Sequence, residues 1–391
     1  MRVEGDFIHI NEWLLPLSCL YGMAVRMRNK LFDLGVLPQH SFSIPVIGVG
    51  NITVGGSGKT PHVEYLVNLL SQKVKVAVLS RGYRRKTHGY RLADANSTAA
   101  DIGDEPCQMK QKFDNIYVAV DRDRCEGIRR LTKDAETQDV DVILLDDAFQ
   151  HRYVKPGINI LLVDYHRLII YDKLLPAGRL REPLSGKSRA DMVIVTKCPK
   201  DLTPMEFRVL TKAMNLYPYQ ELFFTTLDYG RLHQLFGNKT LGLDDIRGHE
   251  VLLLTGIASP KQMMLDLKPY GVKITPMTFA DHHPYSAKDE AAINRRFAAL
   301  NGPKIIITTE KDAARLMKLE HLSEEVREAL YVLPVHISFM LDQEENFDNK
   351  IISYVRKNSR NSILAQGKDD SKPQHSNHSG NRPGTISFRD N

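Results

Sequence analysis

A glycine-rich segment followed by a lysine and a threonine is the first feature of this sequence that could do chemistry. Residues 49–70 read VGNITVGGSGKTPHVEYLVNLL. Glycines let a backbone curl so that its N–H groups point at phosphate oxygens, while the lysine reaches the β and γ phosphates and the threonine hydroxyl binds Mg²⁺. The predicted nucleotide-phosphate site comprises Thr53, Val54, Gly55, Gly56, Ser57, Gly58, Lys59 and Thr60, with Thr60 as a metal ligand.

One residue of this segment departs from the general G-x-x-x-x-G-K-[ST] pattern, because Thr53 stands where the first glycine is expected. A threonine costs little there if the turn keeps a negative φ. Residues 46–49 resemble a strand and Pro61 suits the first turn of a helix, so the strand–loop–helix context agrees with the pattern. A glycine-rich turn beside a chance Lys-Thr pair is the alternative interpretation.

A pair of aspartates follows another predicted strand in VDVILLDDAFQH, residues 140–151. Asp146 and Asp147 come at the carboxyl end of that strand, where open α/β sheets place their ligands. One carboxylate can hold Mg²⁺, directly or through water, and the other can orient a reacting group. The sequence leaves open which aspartate touches the metal, and an acidic turn without a ligand is the alternative.

Two further loops carry arginines. SRGYRRK at residues 80–86 could clamp an anionic substrate, although a solvated basic loop fits equally well. PAGRLREP at residues 176–183 contains prolines and a glycine, which predict a loop of fixed shape. Within these loops we predict that Arg81, Tyr83 and Arg181 contact the substrate.

Three segments supply carboxylates or histidines. GDEP at residues 103–106 starts a predicted helix and is a weak motif alone, because acidic helix starts are common. FADHHPY at residues 279–285 sets two histidines beside a carboxylate, which suits proton transfer near neutral pH, with surface histidines as the alternative. In TTEKDAARL at residues 308–316, Thr309 is predicted to cap a helix whose third residue is Asp312, and a catalytic role fits equally.

The elements that must position these residues alternate along the chain. Short blocks of aliphatic and β-branched residues without polar alternation are typical of strands buried on both faces of a parallel sheet. These blocks are residues 44–50, 74–80, 115–120, 140–146, 158–164, 192–196, 251–255 and 304–309. The predicted fold class is α/β, with a P-loop NTPase-like parallel sheet flanked by helices, a smaller second α/β lobe and an N-terminal amphipathic helix.

The N-terminal helix is predicted over residues 11–34, where apolar side chains including Trp13 recur at near-helical spacing. Its far end carries Arg26, Arg28 and Lys30. This pattern fits an interfacial membrane helix and fits equally a helix whose apolar face packs on the protein core.

Composition sets further bounds on the 391-residue chain. The net charge of +6 is too small to indicate a nucleic-acid partner, and we expect none. Four scattered cysteines suggest neither a zinc site nor a disulfide framework, which favours a reducing cytoplasm. The sequence lacks a run of about 18 apolar residues, so we expect no spanning helix, and its acidic start is unlike a signal peptide.

Together these motifs resemble the tetraacyldisaccharide 4'-kinase (lipid A 4'-kinase) family of Gram-negative bacteria. GNITVGGSGKTP, SRGY, GDEP, DDAFQHR, LPAGRLREP, VTKCP, FADHHPY and TTEKDAARL occur in the family's order between residues 50 and 316. The family also has threonine at the position of Thr53. Ala148 is a departure, because many members have glycine after the two aspartates.

The resemblance implies transfer of the γ-phosphate of ATP to the 4' hydroxyl of a tetraacyldisaccharide 1-phosphate, with ATP and Mg²⁺ as cofactors. It implies a peripheral protein on an anionic membrane surface at the cytoplasmic face of the inner membrane. It also assigns roles to residues: Lys59 in catalysis and phosphate binding, Asp104 as general base, and His282 as its assistant, with His283 not excluded. The implied metal site is shaped by Thr60, Asp146, Asp147, Gln150 and Glu182.

The expected division of the chain has four parts. Residues 1–36 form the membrane-associating helix, residues 37–235 the P-loop kinase core, residues 236–356 the C-terminal α/β lobe and residues 357–391 a polar, disordered tail.

Two other functions are alternatives to the lipid kinase. A regulatory GTPase- or ATPase-like switch would place a base-reading Lys-x-Asp motif at VTKCP, where Pro199 replaces the aspartate. A P-loop kinase of a soluble metabolite would not need the N-terminal helix.

Overall fold

The computed structural model describes residue 8 and residues 10–257, 260–280 and 283–358. Its strands are β1 (Val46–Gly50), β2 (Val76–Ser80), β3 (Arg91–Leu92), β4 (Tyr117–Val120), β5 (Val142–Asp146), β6 (Ile158–Asp164), β7 (Met192–Thr196), β8 (Glu221–Tyr229), β9 (Leu232–Gln234), β10 (Thr240–Leu241), β11 (Glu250–Thr255), β12 (Lys273–Thr278), β13 (Lys304–Thr309), β14 (Leu330–Leu333) and β15 (Val335–Phe339).

Eleven α-helices accompany these strands in the described ranges. They are α1 (Leu15–Asp33), α2 (Lys59–Ser71), α3 (Ala99–Ile102), α4 (Asp104–Lys112), α5 (Arg124–Lys133), α6 (Pro204–Met214), α7 (Lys261–Leu267), α8 (Ala287–Ala298), α9 (Glu310–Leu316), α10 (Glu324–Ala329) and α11 (Glu344–Asn358).

A nine-stranded sheet in the order β15-β8-β7-β6-β1-β5-β2-β4-β3 forms the larger part of the fold. Its seven inner strands run parallel, and only the edge strands β3 and β15 are antiparallel to their neighbours. Strands β1, β2, β5 and β7 are buried along their whole length. This confirms the α/β class and the inference that unalternated apolar blocks are doubly covered strands.

A second sheet of six strands follows in the order β10-β9-β14-β13-β11-β12. Strands β11 to β14 are parallel, while β9 and β10 pair antiparallel at one edge. Leu253 and Ile307 are fully buried on one face of this sheet, and Leu252 and Ile306 on the other. The predicted smaller α/β region is therefore a separate sheet with its own core.

The chain returns to the first sheet after β14. Strand β15 pairs with β8 from Val335 to Phe339, and Phe347, Ile351 and Val355 of α11 are buried in the core of the first sheet. The expected second lobe included all of residues 236–356, but residues 335–358 belong with the first sheet because their apolar face is covered there. We accordingly propose that the second lobe comprises residues 232–333. Apart from the last two residues of α11, the predicted tail lies outside the described residues.

Helix α1 is docked beside the first sheet through its polar contacts. Ser18 Oγ donates to the Leu174 carbonyl at 2.9 Å, and Tyr21 Oη donates to the Arg181 carbonyl at 2.8 Å. The opposite side is apolar and exposed: Leu20 and Met27 are 60% and 66% exposed. The part of the apolar face around Leu20 and Met27 is therefore not covered by the described part of the chain. Among the described residues, no helix has the length and apolarity needed to cross a membrane.

Candidate active site

The glycine-rich loop connects β1 to α2. Gly55 and Gly58 have φ values of 119° and 80°, a region that favours glycine, whereas Thr53 is not among the described residues with positive φ. This confirms that a threonine fits the turn. Asn51 Nδ2 donates to Ser57 Oγ at 2.8 Å and to Thr53 Oγ1 at 3.3 Å, so a buried side chain holds the two ends of the loop together.

A buried histidine connects the loop to the first sheet. His62 Nδ1 lies 2.7 Å from the Gly58 carbonyl, and its Nε2 lies 3.1 Å from Thr225 Oγ1 on β8. Because a carbonyl only accepts, Nδ1 carries the proton, and Nε2 then accepts from the threonine. Burial lowers the pKa of His62 to about 4, so the ring is neutral at physiological pH. The helix that begins at Lys59 is thereby fixed to the sheet.

Lys59 faces the second aspartate of the acidic pair. Its Nζ lies 3.6 Å from Asp147 Oδ1, and Arg181 Nη2 lies 3.1 Å from the same oxygen. Arg181 also donates to the carbonyl and side-chain oxygens of Asn51. Burial by itself would raise the pKa of Asp147, but Lys59 and Arg181 outweigh it and hold this pKa below its usual range. Asp147 is therefore a carboxylate anchored between two cations.

Asp146 has a different environment, although it is the adjacent residue. Its side chain is 5% exposed, and its Oδ1 is buried without a hydrogen-bond partner among the described residues. Burial raises the pKa of Asp146, and the charges of Glu105 and Asp147 raise it further. A buried, unpaired oxygen next to two acidic groups is an electrostatically costly arrangement that a bound cation would relieve.

The GDEP segment lies next to this acidic pair, as the effect of Glu105 on Asp146 shows. Helix α4 begins at Asp104, so both carboxylates of the segment lie at its positive end. Gly103 has a φ of 95°, and a Cβ atom there would lie 3.0 Å from the Tyr83 carbonyl. The SRGY and GDEP segments are therefore in direct backbone contact, which brings Tyr83 close to Asp104.

A cavity of about 220 Å³ separates the glycine-rich loop from the second sheet. Gly56, Lys59 and Glu105 line one side, and Met263 and Lys311 line the other. Two ion-pair sets join its walls.

In the first set, Lys112 Nζ lies 2.7 Å from both Glu64 and Glu310. In the second, Lys311 Nζ lies 3.7 Å from Glu105. The cavity is thus formed jointly by both sheets, which accounts for its apolar and charged lining.

The other predicted metal residues are divided between two places. Gln150 Nε2 donates to the Asn51 carbonyl at 2.6 Å, beside the loop. Glu182 is 1% exposed and forms an ion pair with Arg189 at 2.8 Å, while its Oε1 has no partner in the described part of the chain. Asp146, Asp147 and Gln150 therefore come together at the loop, whereas the contacts of Glu182 are with Arg189 and Asn29.

The remaining predicted site residues are the substrate contacts Arg81 and Tyr83 and the two histidines. Arg81 is exposed at the end of β2, and Tyr83 is 60% exposed. His283 Nε2 lies 3.1 Å from Asp289, which gives this histidine a structural partner at the start of α8. His282 lies outside the described residues.

The TTEKDAARL segment has a structural role that the sequence analysis anticipated. Thr309 Oγ1 accepts from the Asp312 N–H at 3.1 Å, which confirms the predicted cap. Asp312 is completely buried and accepts from the Gly256 N–H at 2.9 Å and from Arg315 at 2.6 Å. This network ties β11 to α9 at the edge of the cavity.

Sequence reasoning missed three residues that shape the loop: Asn51, His62 and Lys197. Lys197 Nζ contacts the Gly56 carbonyl and lies 2.7 Å from Asp164. Asn51 and His62 flank the glycines closely, so a search for polar residues just outside the motif would have found them. Lys197 directly follows β7, and no local signal links it to the loop.

A glycine-rich turn opposed by an aspartate pair at the carboxyl end of a parallel sheet is typical of α/β proteins that bind nucleotide phosphates. A model of the Tetraacyldisaccharide-1-P 4'-kinase family matches residues 10–356. The chain therefore belongs to this family, which confirms the resemblance drawn from its motifs.

Curated relatives and a solved structure agree with this assignment. The chain is 57% identical over 363 residues to the tetraacyldisaccharide 4'-kinase of Phocaeicola vulgatus, covering 92% of this chain and 99% of the relative. It is 50% identical over 374 residues to that of Bacteroides thetaiotaomicron, covering 93% and 98%. A crystal structure of LpxK from Aquifex aeolicus in complex with ATP has a TM-score of 0.67 and 31% identity, covering 88% of this chain and 98% of that one.

Proposed function

We propose that this protein transfers the γ-phosphate of ATP to the 4' hydroxyl of a tetraacyldisaccharide 1-phosphate, in lipid A biosynthesis. The observation that carries the proposal is the convergence of Lys59, the acidic pair and the GDEP helix start beside the glycine-rich loop. Lys59 and Glu105 also line the cavity next to that loop. Family membership supplies the acceptor, because the relatives are named for that reaction.

The proposed nucleotide site is the P-loop formed by residues 53–60. Its backbone N–H groups and Lys59 are suited to cradle the phosphates, and the cavity beside it offers space for the rest of the nucleotide. The ATP complex of the Aquifex aeolicus protein supports ATP as the donor. Asp147 Oδ1 lies 3.6 Å from Lys59 Nζ, so an ion pair holds the lysine amine beside the loop.

The residues around the loop fit a Mg²⁺ ion. Hard cations prefer carboxylate, carbonyl and hydroxyl oxygens, and the unpaired Oδ1 of Asp146 is such a donor. We propose that Thr60, Asp146, Asp147 and Gln150 hold the ion, with Glu182 as a more distant contributor. The bound ion would neutralise charge on the transferring phosphoryl group.

Phosphoryl transfer needs positioning, charge stabilisation and a base for the attacking hydroxyl. We propose that Asp104 accepts the proton of the 4' hydroxyl, because it lies at the helix start whose neighbour Glu105 influences Asp146. His282 is proposed to assist, since His283 is already paired with Asp289. Arg81, Tyr83 and Arg181 are proposed to contact the acceptor at the mouth of the site.

The acceptor is a lipid, and helix α1 offers a surface for it. Trp13 is 94% exposed, and Leu17, Leu20, Met23 and Met27 are all more than half exposed. Apolar side chains with a basic helix end are typical of helices that lie in a membrane interface. We propose that this face binds an anionic membrane surface peripherally, at the cytoplasmic face of the inner membrane. Arg28 donates to the Gln150 carbonyl, so this helix is also next to the site.

The experiment incubates the protein with ATP, Mg²⁺ and the disaccharide 1-phosphate lipid in detergent micelles. The expected product is the bis-phosphorylated lipid, formed with ATP and much more slowly with GTP. ATP hydrolysis without lipid product would contradict the proposed acceptor. Asp104→Ala is expected to bind ATP normally and lose most turnover, whereas Lys59→Ala is expected to weaken ATP binding. Unchanged turnover in Asp104→Ala would show that Asp104 is not the general base.

A further inference from the structure

Three side chains with metal-binding atoms meet outside the proposed phosphoryl-transfer site. Asp123, Cys125 and His151 each present one ligand atom, and these atoms lie within 4.8 Å of one another. This is the one such group of three among the residues that the structure describes. The cysteine spacing alone predicted no zinc site, because the ligands come from two segments separated by a strand.

Local structure fixes the positions of all three residues. Asp123 Oδ1 accepts from the backbone N–H groups of Cys125 and Glu126 at 2.9 and 3.3 Å, which caps α5. His151 lies in the turn after β5, where its backbone N–H donates to the Ala148 carbonyl at 2.8 Å. Hydrogen bonds therefore hold the backbone of both segments in place.

The donor atoms are available for coordination. The His151 Nε2 atom is buried and has no hydrogen-bond partner among the described residues. The Cys125 thiol is a free cysteine whose one hydrogen bond is to the Tyr153 carbonyl at 3.5 Å. A buried imidazole nitrogen without a partner loses its hydration at a free-energy cost, and a metal ion bound there would compensate it.

The combination of sulfur, nitrogen and oxygen donors selects the ion. Zn²⁺ binds cysteine sulfur at about 2.3 Å and histidine nitrogen or aspartate oxygen at about 2.0–2.2 Å. Tetrahedral ligand atoms then lie roughly 3.5 Å apart, so a pair of donor atoms at the 4.8 Å limit must approach by about 1 Å. Mg²⁺ prefers oxygen ligands alone, so the metal of the kinase site would not compete here.

We propose that Asp123, Cys125 and His151 form a second cation site that binds one thiophilic divalent ion of the Zn²⁺ type, with an open fourth position. The charge of the surroundings opposes it, because Arg28, Arg81 and Arg124 all act on His151. A coordinated thiolate and carboxylate carry two negative charges, which offset the charge of the ion itself.

Such an ion would join the start of α5 to the turn that carries the acidic pair. Arg124 stands between the two ligands of α5, and its Nη2 lies 3.5 Å from the Asp147 carbonyl. The ion would therefore stabilise the folded protein and the turn beside the proposed active site. Metal binding at this site is separate from phosphoryl transfer and can be measured without turnover.

The experiment titrates Co²⁺ into the full, tag-free chain in excess Mg²⁺ and records its absorption. The expected result is a thiolate-to-cobalt charge-transfer band that saturates at one equivalent and disappears when Zn²⁺ displaces the cobalt. Carboxylate sites such as the acidic pair give no thiolate band. A band that never appears at millimolar Co²⁺ would overturn the proposal.

Matched variants assign the ligands. Cys125→Ser should lose the charge-transfer band, and His151→Asn should weaken Co²⁺ binding at least tenfold. The controls Cys19→Ser and Cys198→Ser should retain the band. Zn²⁺ should raise the melting temperature of the wild type and of Cys19→Ser but not of Cys125→Ser. A band or a thermal shift that survives in Cys125→Ser would assign the metal to another thiol and refute the site.

Discussion

The buried histidine under the glycine-rich loop leads to a quantitative prediction about pH. The pKa of His62 falls from its ordinary value of 6.5 to about 4 in the folded protein. The unfolded chain therefore binds more protons than the folded one between these values, and stability falls as pH falls through this window. The stabilisation is fully present above pH 6.5 and is lost toward pH 4.

The size of the effect follows from the shift. A change of this size corresponds to about 3 kcal/mol in total, and about 2 kcal/mol of it is lost between pH 7 and pH 5. Little screening is expected, because the side chain is 3% exposed. His151 also has a pKa lowered to about 4, so the comparison must isolate His62.

The variant His62→Asn provides that isolation. Asparagine keeps a donor near the Gly58 carbonyl but does not titrate, and His151 is present in both proteins. Urea unfolding at pH 7 and pH 5 should show that the wild type's advantage over the variant shrinks by about 2 kcal/mol at the lower pH.

An NMR titration of the His62 ring gives a direct control, with no protonation expected above about pH 5 in the folded protein. An equal advantage at both pH values, or a ring that titrates near 6.5, would refute the assignment of a neutral, desolvated His62.

Three further predictions concern packing and the connection between the sheets. Gly103→Ala should destabilise the protein by about 1–3 kcal/mol because its Cβ would meet the Tyr83 carbonyl. Urea unfolding should show a smaller loss of stability for Gly89→Ala, since Gly89 also has positive φ but an added Cβ there has no neighbouring atom within 4 Å. Equal losses in the two variants would contradict the contact with Tyr83. Ile351→Ala should lower the free energy of unfolding by about 2–5 kcal/mol if α11 packs on the first sheet. Ile352→Ala should lower it much less, because Ile352 is only half-buried. Similar losses in the two variants would argue against that packing. Lys112→Gln should weaken ATP binding several-fold in calorimetry, because it removes the ion pairs that link Glu64 and Glu310 across the cavity. The control variant Lys110→Gln should bind ATP as the wild type does.

The sequence predicted six strands of the first sheet, β1, β2 and β4 to β7, because they are continuous apolar blocks, whereas β3, β8 and β15 lie outside the predicted blocks. Residues 158–164 and 192–196 match β6 and β7, and other predicted blocks start within two residues of the observed strands. The residues that form β15 and α11 fall within the expected second lobe, since nothing local shows that their partners are β8 and the core around Ile47.

Prediction of the site had a similar limit. Motifs located Lys59, Asp146, Asp147 and Arg181, which lie together or next to one another. Contacts between distant segments, such as Lys197 with Gly56 or Asp123 with His151, depend on strand order and leave no pattern along the chain.

The central claim is the direction of phosphate transfer, and labelled ATP tests it most directly. The protein is given ATP labelled at the γ-phosphorus together with the disaccharide 1-phosphate lipid, and the lipid product is fragmented to locate the label. The expected product carries one labelled phosphate per lipid, on the 4' position of the sugar that carries no phosphate in the substrate. Label found only in inorganic phosphate, or at another position of the lipid, would contradict it.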